Sequence, residues 1–236
     1  MTVRSRAIVR VRRALRHMTP GHMVRTRMTR KVVEQFAEKA GLVYFGYVDQ
    51  RDDHRLVRGH TVSATHIDGH YSIGTVHGYD VVLLQRNDVI ISRVAKKEQR
   101  YHWLIFSIDL HSPIDVPHLY IGHKSRHEVY GEVHSRLSKL QLGIIGTYPA
   151  QFVGNYDVFG QPAHAIEIEE IISPEIAAVV ATHFQGASIE IEDNTVYIYI
   201  ESRYPNESLL EKMLSNGLWL AERIDTRLLS QHAESK

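Results

Sequence analysis

The stretch HTVSATHIDGHYSIGTVHGYDVVLLQRND, residues 60–88, decides the fold class of this protein. Polar and apolar residues alternate through it with a period of two, which is typical of β-strands with one buried face. Three dipeptides that favour turns interrupt the alternation at similar intervals: Asp68-Gly69, His77-Gly78 and Asn87-Asp88. We therefore predict a four-stranded antiparallel β-meander with strands near residues 60–67, 70–77, 79–86 and 89–94.

Two further strands are predicted downstream of the meander. Residues 101–110, YHWLIFSIDL, are apolar on both faces, which indicates a central strand covered on both sides. Residues 118–121 form one more short strand in this interpretation.

Helices are predicted on both sides of the strands. Residues 3–18 sort into an apolar and an arginine-rich face, and Thr19-Pro20-Gly21 is expected to stop this helix. A second helix is predicted over residues 30–40, with Thr29 as its N-cap and Gly41 as its C-terminal stop.

The second half of the chain mixes helices and strands. Helical spacing of apolar residues predicts a helix over 128–140, and a short strand follows at 155–159. Ser173-Pro174-Glu175 is a cap followed by proline, which predicts a helix that ends near residue 184. A hairpin over 187–192 and 195–201 turns at Asp193-Asn194, and a long helix at 208–229 closes the chain. Strands in one block followed by helices and a hairpin predict an α+β fold.

Composition limits the class of protein. The chain has 236 residues, an ordinary share of apolar side chains and no cysteine, which excludes disulfides, thiolate zinc sites and cysteine nucleophiles. Its longest apolar runs, such as residues 103–106, are too short to span a bilayer. We expect a cytoplasmic protein that is not integral to a membrane.

The net charge of +1 conceals a basic N-terminal arm. Residues 1–33 hold ten of the 28 basic side chains and no acidic one, so the rest of the chain carries 18 basic and 27 acidic residues. We predict an arm at 1–27 and a single globular domain at 28–236. Two sub-modules, 28–150 and 151–236, could make up this domain. The arginines on the polar face of the arm are Arg6, Arg10, Arg12, Arg13 and Arg16.

Three interpretations of the arm remain open. In the first interpretation, the arm lies on the anionic surface at the inner face of a membrane, with its apolar side buried. Alternatively, it grips the phosphates of a nucleic acid. In the third interpretation residues 1–27 are not native, because translation starts at a later methionine such as Met28.

Sixteen histidines make metal and acid–base sites worth weighing, although no metal-site or nucleophile motif is present. If Asp68-Gly69 sets the hairpin register, His60 faces His77, and this pair could hold zinc together with a third ligand. Asp109, His111 and His118 follow the central strand, where a general base or metal would fit. The simpler interpretation of both groups is that they are partly exposed polar residues of the rim and the loops. We therefore predict no cofactor and no bound metal.

Two stretches carry a resemblance to known families. Residues 43–48 and 55–59, followed by the hairpins up to Asp88, resemble hypothetical proteins of reduced-genome candidate bacteria of the Saccharibacteria type. Residues 156–159, 172–175 and the strand pair before the last helix are similar to the end of a bacterial domain family of unknown function. Neither resemblance implies an activity. We predict a non-catalytic binding or scaffolding module, with a nucleic-acid-associated protein and a His/Asp-dependent hydrolase as the alternatives.

Overall fold

The computed structural model describes residues 20–46, 67–91, 98–126 and 137–234. These residues form five α-helices and nine β-strands, so the predicted α+β class is confirmed. The helices are α1 (Pro20–Ala40), α2 (Ala150–Asn155), α3 (Ala165–Ile171), α4 (Pro174–His183) and α5 (Glu207–Glu234). The strands are β1 (Val43–Gly46), β2 (Ile67–Val76), β3 (Tyr79–Ile91), β4 (Glu98–Asp109), β5 (Leu119–His123), β6 (Ser138–Lys139), β7 (Tyr156–Gly160), β8 (Ser188–Glu192) and β9 (Thr195–Glu201).

All nine strands belong to one antiparallel sheet, in the order β1-β2-β3-β4-β9-β8-β5-β7-β6. The first four strands form an antiparallel meander, but not with the predicted strands. Strands β2 and β3 match those predicted at 70–77 and 79–86, whereas residues 89–91 of the fourth predicted strand continue β3. The meander is completed by β4 and by β1, which was not predicted, and residues 60–66 of the first predicted strand lie outside the described residues. The C-terminal hairpin of β8 and β9 then inserts between β4 and β5. The sheet therefore interleaves strands from 28–150 with strands from 151–236. The domain boundaries stay a prediction; the proposed limit at residue 27 falls inside α1.

Two of the predicted turns are confirmed. His77 and Gly78 both have positive φ, and Val76 pairs with Tyr79 across them. Asp193 and Asn194 have φ of 50° and 56° between β8 and β9. Two consecutive residues of positive φ make the tight hairpin turn whose twist matches that of antiparallel strands.

The other two turn predictions were wrong. Asp68-Gly69 lies inside β2, where His70 has a φ of 57° and the register shifts between Gly69 and Ser72 as at a β-bulge. Asn87-Asp88 lies inside β3, which continues to Ile91. Asp68 stands opposite Arg86 and binds it in a buried ion pair, so a contact between strands overrides the local preference for a turn. The register that placed His60 opposite His77 is therefore wrong, and His60 lies outside the described residues.

The first described helix also differs from its prediction. Pro20 begins α1, which is compatible with proline because the first turn needs no backbone N–H donor. The predicted helix over residues 3–18 lies outside the described residues. Thr29 is buried within α1 and is not its N-cap. The predicted C-terminal stop at Gly41 is confirmed by its φ of 75°. The backbone N–H groups of Leu42 and Gly41 donate to Ala37 O (2.8 Å) and Glu38 O (3.2 Å), which is the Schellman arrangement.

The prediction of a helix over 128–140 was wrong at its end. Ser138–Lys139 is strand β6, and the Lys139 ammonium lies 2.8 Å from the Asp157 carboxylate. Leu140 N–H also donates to Val158 O at 2.8 Å, so pairing with β7 determines this segment. Residues 127–136 lie outside the described part of the chain. The remaining predictions for this half are confirmed, including the α4 cap, where Ser173 Oγ accepts from Ile176 N–H.

The central strand β4 separates two cores. Leu104, Phe106 and Ile108 point to the face on which the helices pack. Trp103 and Ile105 point to the opposite face, where a smaller aromatic cluster contains no residue of the described helices. Its buried members are Tyr71, Leu84, Trp103, Ile105, Tyr120, Leu137, Tyr197 and Tyr199. In the described part of the chain, no helix is both long and apolar enough to cross a bilayer.

Candidate ligand-binding cleft

A cleft of about 720 Å³ opens between the end of α1, the β2–β3 turn and the middle of α5. Its floor is apolar, with Phe36, Val76, Leu214, Leu218 and Trp219. Its rim is polar, with Lys39, His77, His111, Glu211 and Glu222. A volume of this size falls in the usual range for small-molecule sites, which are also mostly apolar with a few polar groups.

The apolar floor follows from the helical period. Leu214 and Leu218 are four residues apart on α5, so they lie on one face of the helix. Phe36 on α1 is fixed against the sheet, since its ring meets the Phe106 ring edge-on at a centroid distance of 6.1 Å. Trp219 is half-buried, with the Arg223 guanidinium 5.8 Å from its ring centroid. The floor is thus built from side chains with fixed neighbours.

An ion pair joins the two helices at one end of the cleft. The Lys39 ammonium lies 2.5 Å from Glu211 Oε1 and 3.0 Å from Glu207 Oε1. These hydrogen bonds raise the pKa of Lys39 above its ordinary value, Glu211 making the larger contribution. Lys39 is therefore held by the protein's own carboxylates.

A hydrogen-bonded group closes the other end. The rings of Tyr79 and His111 stack with centroids 4.3 Å apart and planes 5° from parallel. Tyr79 Oη donates to Asp225 Oδ2 at 2.9 Å, and His111 N–H donates to both Asp225 oxygens at 3.1 Å. Burial, together with the bond to Asp225, raises the pKa of Tyr79 well above its ordinary value, so the phenol stays a neutral donor. The His111 ring also hydrogen-bonds Gly78 O at 3.1 Å, which joins the β2–β3 turn to the segment that follows β4.

Within the described residues, the structure does not bring the histidines and the aspartate that the sequence suggested as site residues together in one site. His77 and His111 both line the cleft. Asp109 is exposed at the end of β4, where it accepts a bond from Thr195 Oγ1 (2.9 Å). His118 lies beside Glu190 at the start of β5, and two strands, β9 and β8, stand between β4 and β5. Arg6, Arg10, Arg12, Arg13 and Arg16 lie outside the described residues.

Sequence reasoning missed the contribution of α5 to this cleft. Glu211, Glu222 and Asp225 lie on the face of α5 that also carries the buried Leu214 and Leu218. The sequence did contain a signal for this cleft. Charged residues recur at the helical spacing of the apolar face of α5, so they interrupt a face that would otherwise pack entirely into the core.

No protein-family model and no curated protein matches this sequence. Among solved structures, the fold is similar to the crystal structure of the mycobacterial trehalose monomycolate transport factor A, TtfA, with a TM-score of 0.57. The match covers 86% of this chain and 95% of the other, at 12% sequence identity. At this level of identity the similarity shows a shared fold and no more.

Proposed function

We propose that this protein is a non-catalytic binding module, and that its cleft holds the apolar part of an amphiphilic, lipid-like ligand. The observation that carries the proposal is the division of the cleft into an apolar floor and a polar rim. Such a division suits a ligand with an apolar chain and a polar head group. The structurally similar protein is named as a transport factor for trehalose monomycolate, which is a glycolipid, and this supports the same ligand class.

The charges around the cleft favour a neutral head group over an anionic one. Glu211 and Glu222 line the rim, and the Lys39 ammonium is engaged by Glu211 and Glu207. Carboxylates accept hydrogen bonds from hydroxyl groups but repel phosphate, sulfate or a free carboxylate. A head group rich in hydroxyls therefore fits the rim.

Chain-length dependence tests the proposal. Each methylene buried in the floor is expected to contribute up to about 0.8 kcal/mol, or about fourfold in affinity. Calorimetric titration with octyl and decyl maltoside below their micelle concentrations should therefore show stronger binding of decyl maltoside, by up to about fifteenfold. Decyl sulfate should bind more weakly than decyl maltoside. Equal affinity for the two chain lengths would contradict an apolar site.

A matched pair of variants locates the binding. Ser215 is exposed on α5 and lines the cleft, so Ser215→Phe fills the cleft without opening a cavity in the core. Ser230 is exposed on the same helix and is not among the residues lining the cleft, so Ser230→Phe is the control. We expect Ser215→Phe to weaken decyl maltoside binding at least tenfold, whereas Ser230→Phe leaves it unchanged. Equal binding by both variants would place the ligand elsewhere.

We also propose that the basic arm brings the module to an anionic membrane surface, as its sequence predicts. Val11→Asp with Leu15→Asp should weaken binding to anionic vesicles far more than Arg12→Gln with Arg13→Gln, although both pairs lower the net charge by the same amount. Only the first pair removes apolar side chains from the buried face. If both pairs lose vesicle affinity equally in a sedimentation assay, the arm acts only as a polycation. If Val11→Asp with Leu15→Asp loses as much affinity for duplex DNA as for anionic vesicles, the result would favour the nucleic-acid alternative.

A further inference from the structure

Three side chains with metal-binding groups meet on the sheet face opposite the helices. Glu190 and Glu192 alternate on β8, so they point to the same face. His118 immediately precedes β5, and the pairing of Tyr120 with Glu190 places it beside both carboxylates. The two neighbouring strands thus supply one imidazole and two carboxylates from the paired backbone of a sheet.

The distances are close to those of a coordination sphere. His118 Nε2 lies 2.8 Å from Glu190 Oε1, and His118 Nδ1 lies 3.9 Å from Glu192 Oε1. One ligand atom from each of the three residues lies within 4.8 Å of the other two. Ligand atoms about 2.0–2.2 Å from a tetrahedral zinc ion are about 3.3–3.6 Å from one another. Small side-chain rotations would therefore close this group around an ion.

Burial gives the group a closed end and an open end. The Glu190 side chain is 0% exposed, whereas His118 and Glu192 are 20% and 23% exposed. An ion can thus enter from solvent past the two partly exposed ligands and meet the fully buried carboxylate of Glu190. A water molecule can complete the coordination on the open side.

A buried tyrosine holds that fixed carboxylate. Tyr199 Oη donates to Glu190 Oε2 at 2.6 Å, while Oε1 faces His118. Partners that hydrogen-bond a ligating carboxylate are typical of metal sites, because they fix the orientation of the ligand.

We propose that His118, Glu190 and Glu192 bind a divalent first-row transition metal ion such as Zn²⁺. Imidazole with carboxylates is a donor set that such ions accept, and three protein ligands leave a position open for water. The ion would join β5 to β8 near the middle of the sheet, and the proposal is independent of the cleft. It departs from the sequence prediction of no bound metal, in which His118 was weighed only together with Asp109 and His111.

Titration of chelator-treated protein with ZnCl₂, followed by calorimetry, tests the site. We expect one Zn²⁺ per chain, and at least tenfold weaker binding in each of the variants His118→Gln and Glu192→Gln. His164→Gln is the matched control, because His164 is a partly exposed histidine that also contacts a glutamate, Glu167, at 2.9 Å. This control should bind Zn²⁺ as the unmodified protein does.

Two outcomes would overturn the proposal. One is the lack of stoichiometric Zn²⁺ binding by the unmodified protein. The other is full affinity in both His118→Gln and Glu192→Gln, which would place the ion at other histidines among the sixteen. Both replaced side chains are partly exposed, so the variants are expected to fold, and circular dichroism without metal checks this. If one variant fails to fold, the other decides.

Discussion

Replacing Arg86 by methionine is expected to destabilise the protein by about 3–5 kcal/mol, because it leaves a buried carboxylate without its cation. Arg86 on β3 stands opposite Asp68 on β2. Its Nε and Nη2 atoms lie 2.8 and 2.6 Å from the two oxygens of Asp68, a bidentate pairing. The two side chains are 2% and 0% exposed, so water cannot replace the lost contacts.

The ion pair of Lys39 is the matched comparison, since it too joins a cation to two carboxylate oxygens. Its distances are 2.5 and 3.0 Å, yet the Lys39 side chain is 62% exposed. Solvent screens such a pair and solvates the carboxylates that remain, so Lys39→Met should cost much less stability than Arg86→Met. Burial, and not the distance between the charges, is what separates the two expected losses.

Urea unfolding at neutral pH, followed by circular dichroism, measures both variants against the unmodified protein. The double variant Asp68→Asn with Arg86→Met removes the stranded charge, so it should be more stable than Arg86→Met alone. A loss below about 1 kcal/mol in Arg86→Met, or a loss equal to that in Lys39→Met, would refute the argument from burial.

Three smaller effects are expected in the same unfolding assay. Ser173→Ala removes the oxygen that accepts from Ile176 N–H at the start of α4, which should cost about 1 kcal/mol; a neutral result would show that the cap is dispensable. Gly78→Ala places a side chain at a φ of 87° in the β2–β3 turn and should cost roughly 1 kcal/mol or more, and an increase in stability would contradict this strain. Burial raises the pKa of Tyr156 to about 12, above its ordinary value of about 10 in the unfolded chain, so the stability from its neutral form is complete below pH 10 and is lost as the pH rises towards 12. Tyr156→Phe should therefore flatten the fall in stability over that window, and an unchanged slope would rule Tyr156 out as its source.

Local chemistry in the sequence determined the elements whose signals act over a few residues. His77-Gly78 and Asp193-Asn194 adopt the positive φ values that a tight hairpin needs, and Gly41 ends α1 in the same region. The Ser173 cap begins α4, and the apolar run of β4 is buried on both faces. In each case the physical cause lies within the segment itself, as a backbone preference or an apolar period.

Contacts between distant segments decided what the sequence left open. Asp68-Gly69 carries a turn signal, yet the buried pair with Arg86 keeps it in a strand, and pairing with β7 makes Ser138–Lys139 a strand. The cleft joins residues near 36–40, 76–79 and 211–222, and the His118 cluster joins strands that are 72 residues apart. A sequence pattern reports which face a residue takes, but not which element it meets there. That choice follows from the free energy of packing the whole sheet and its helices, which no single segment contains.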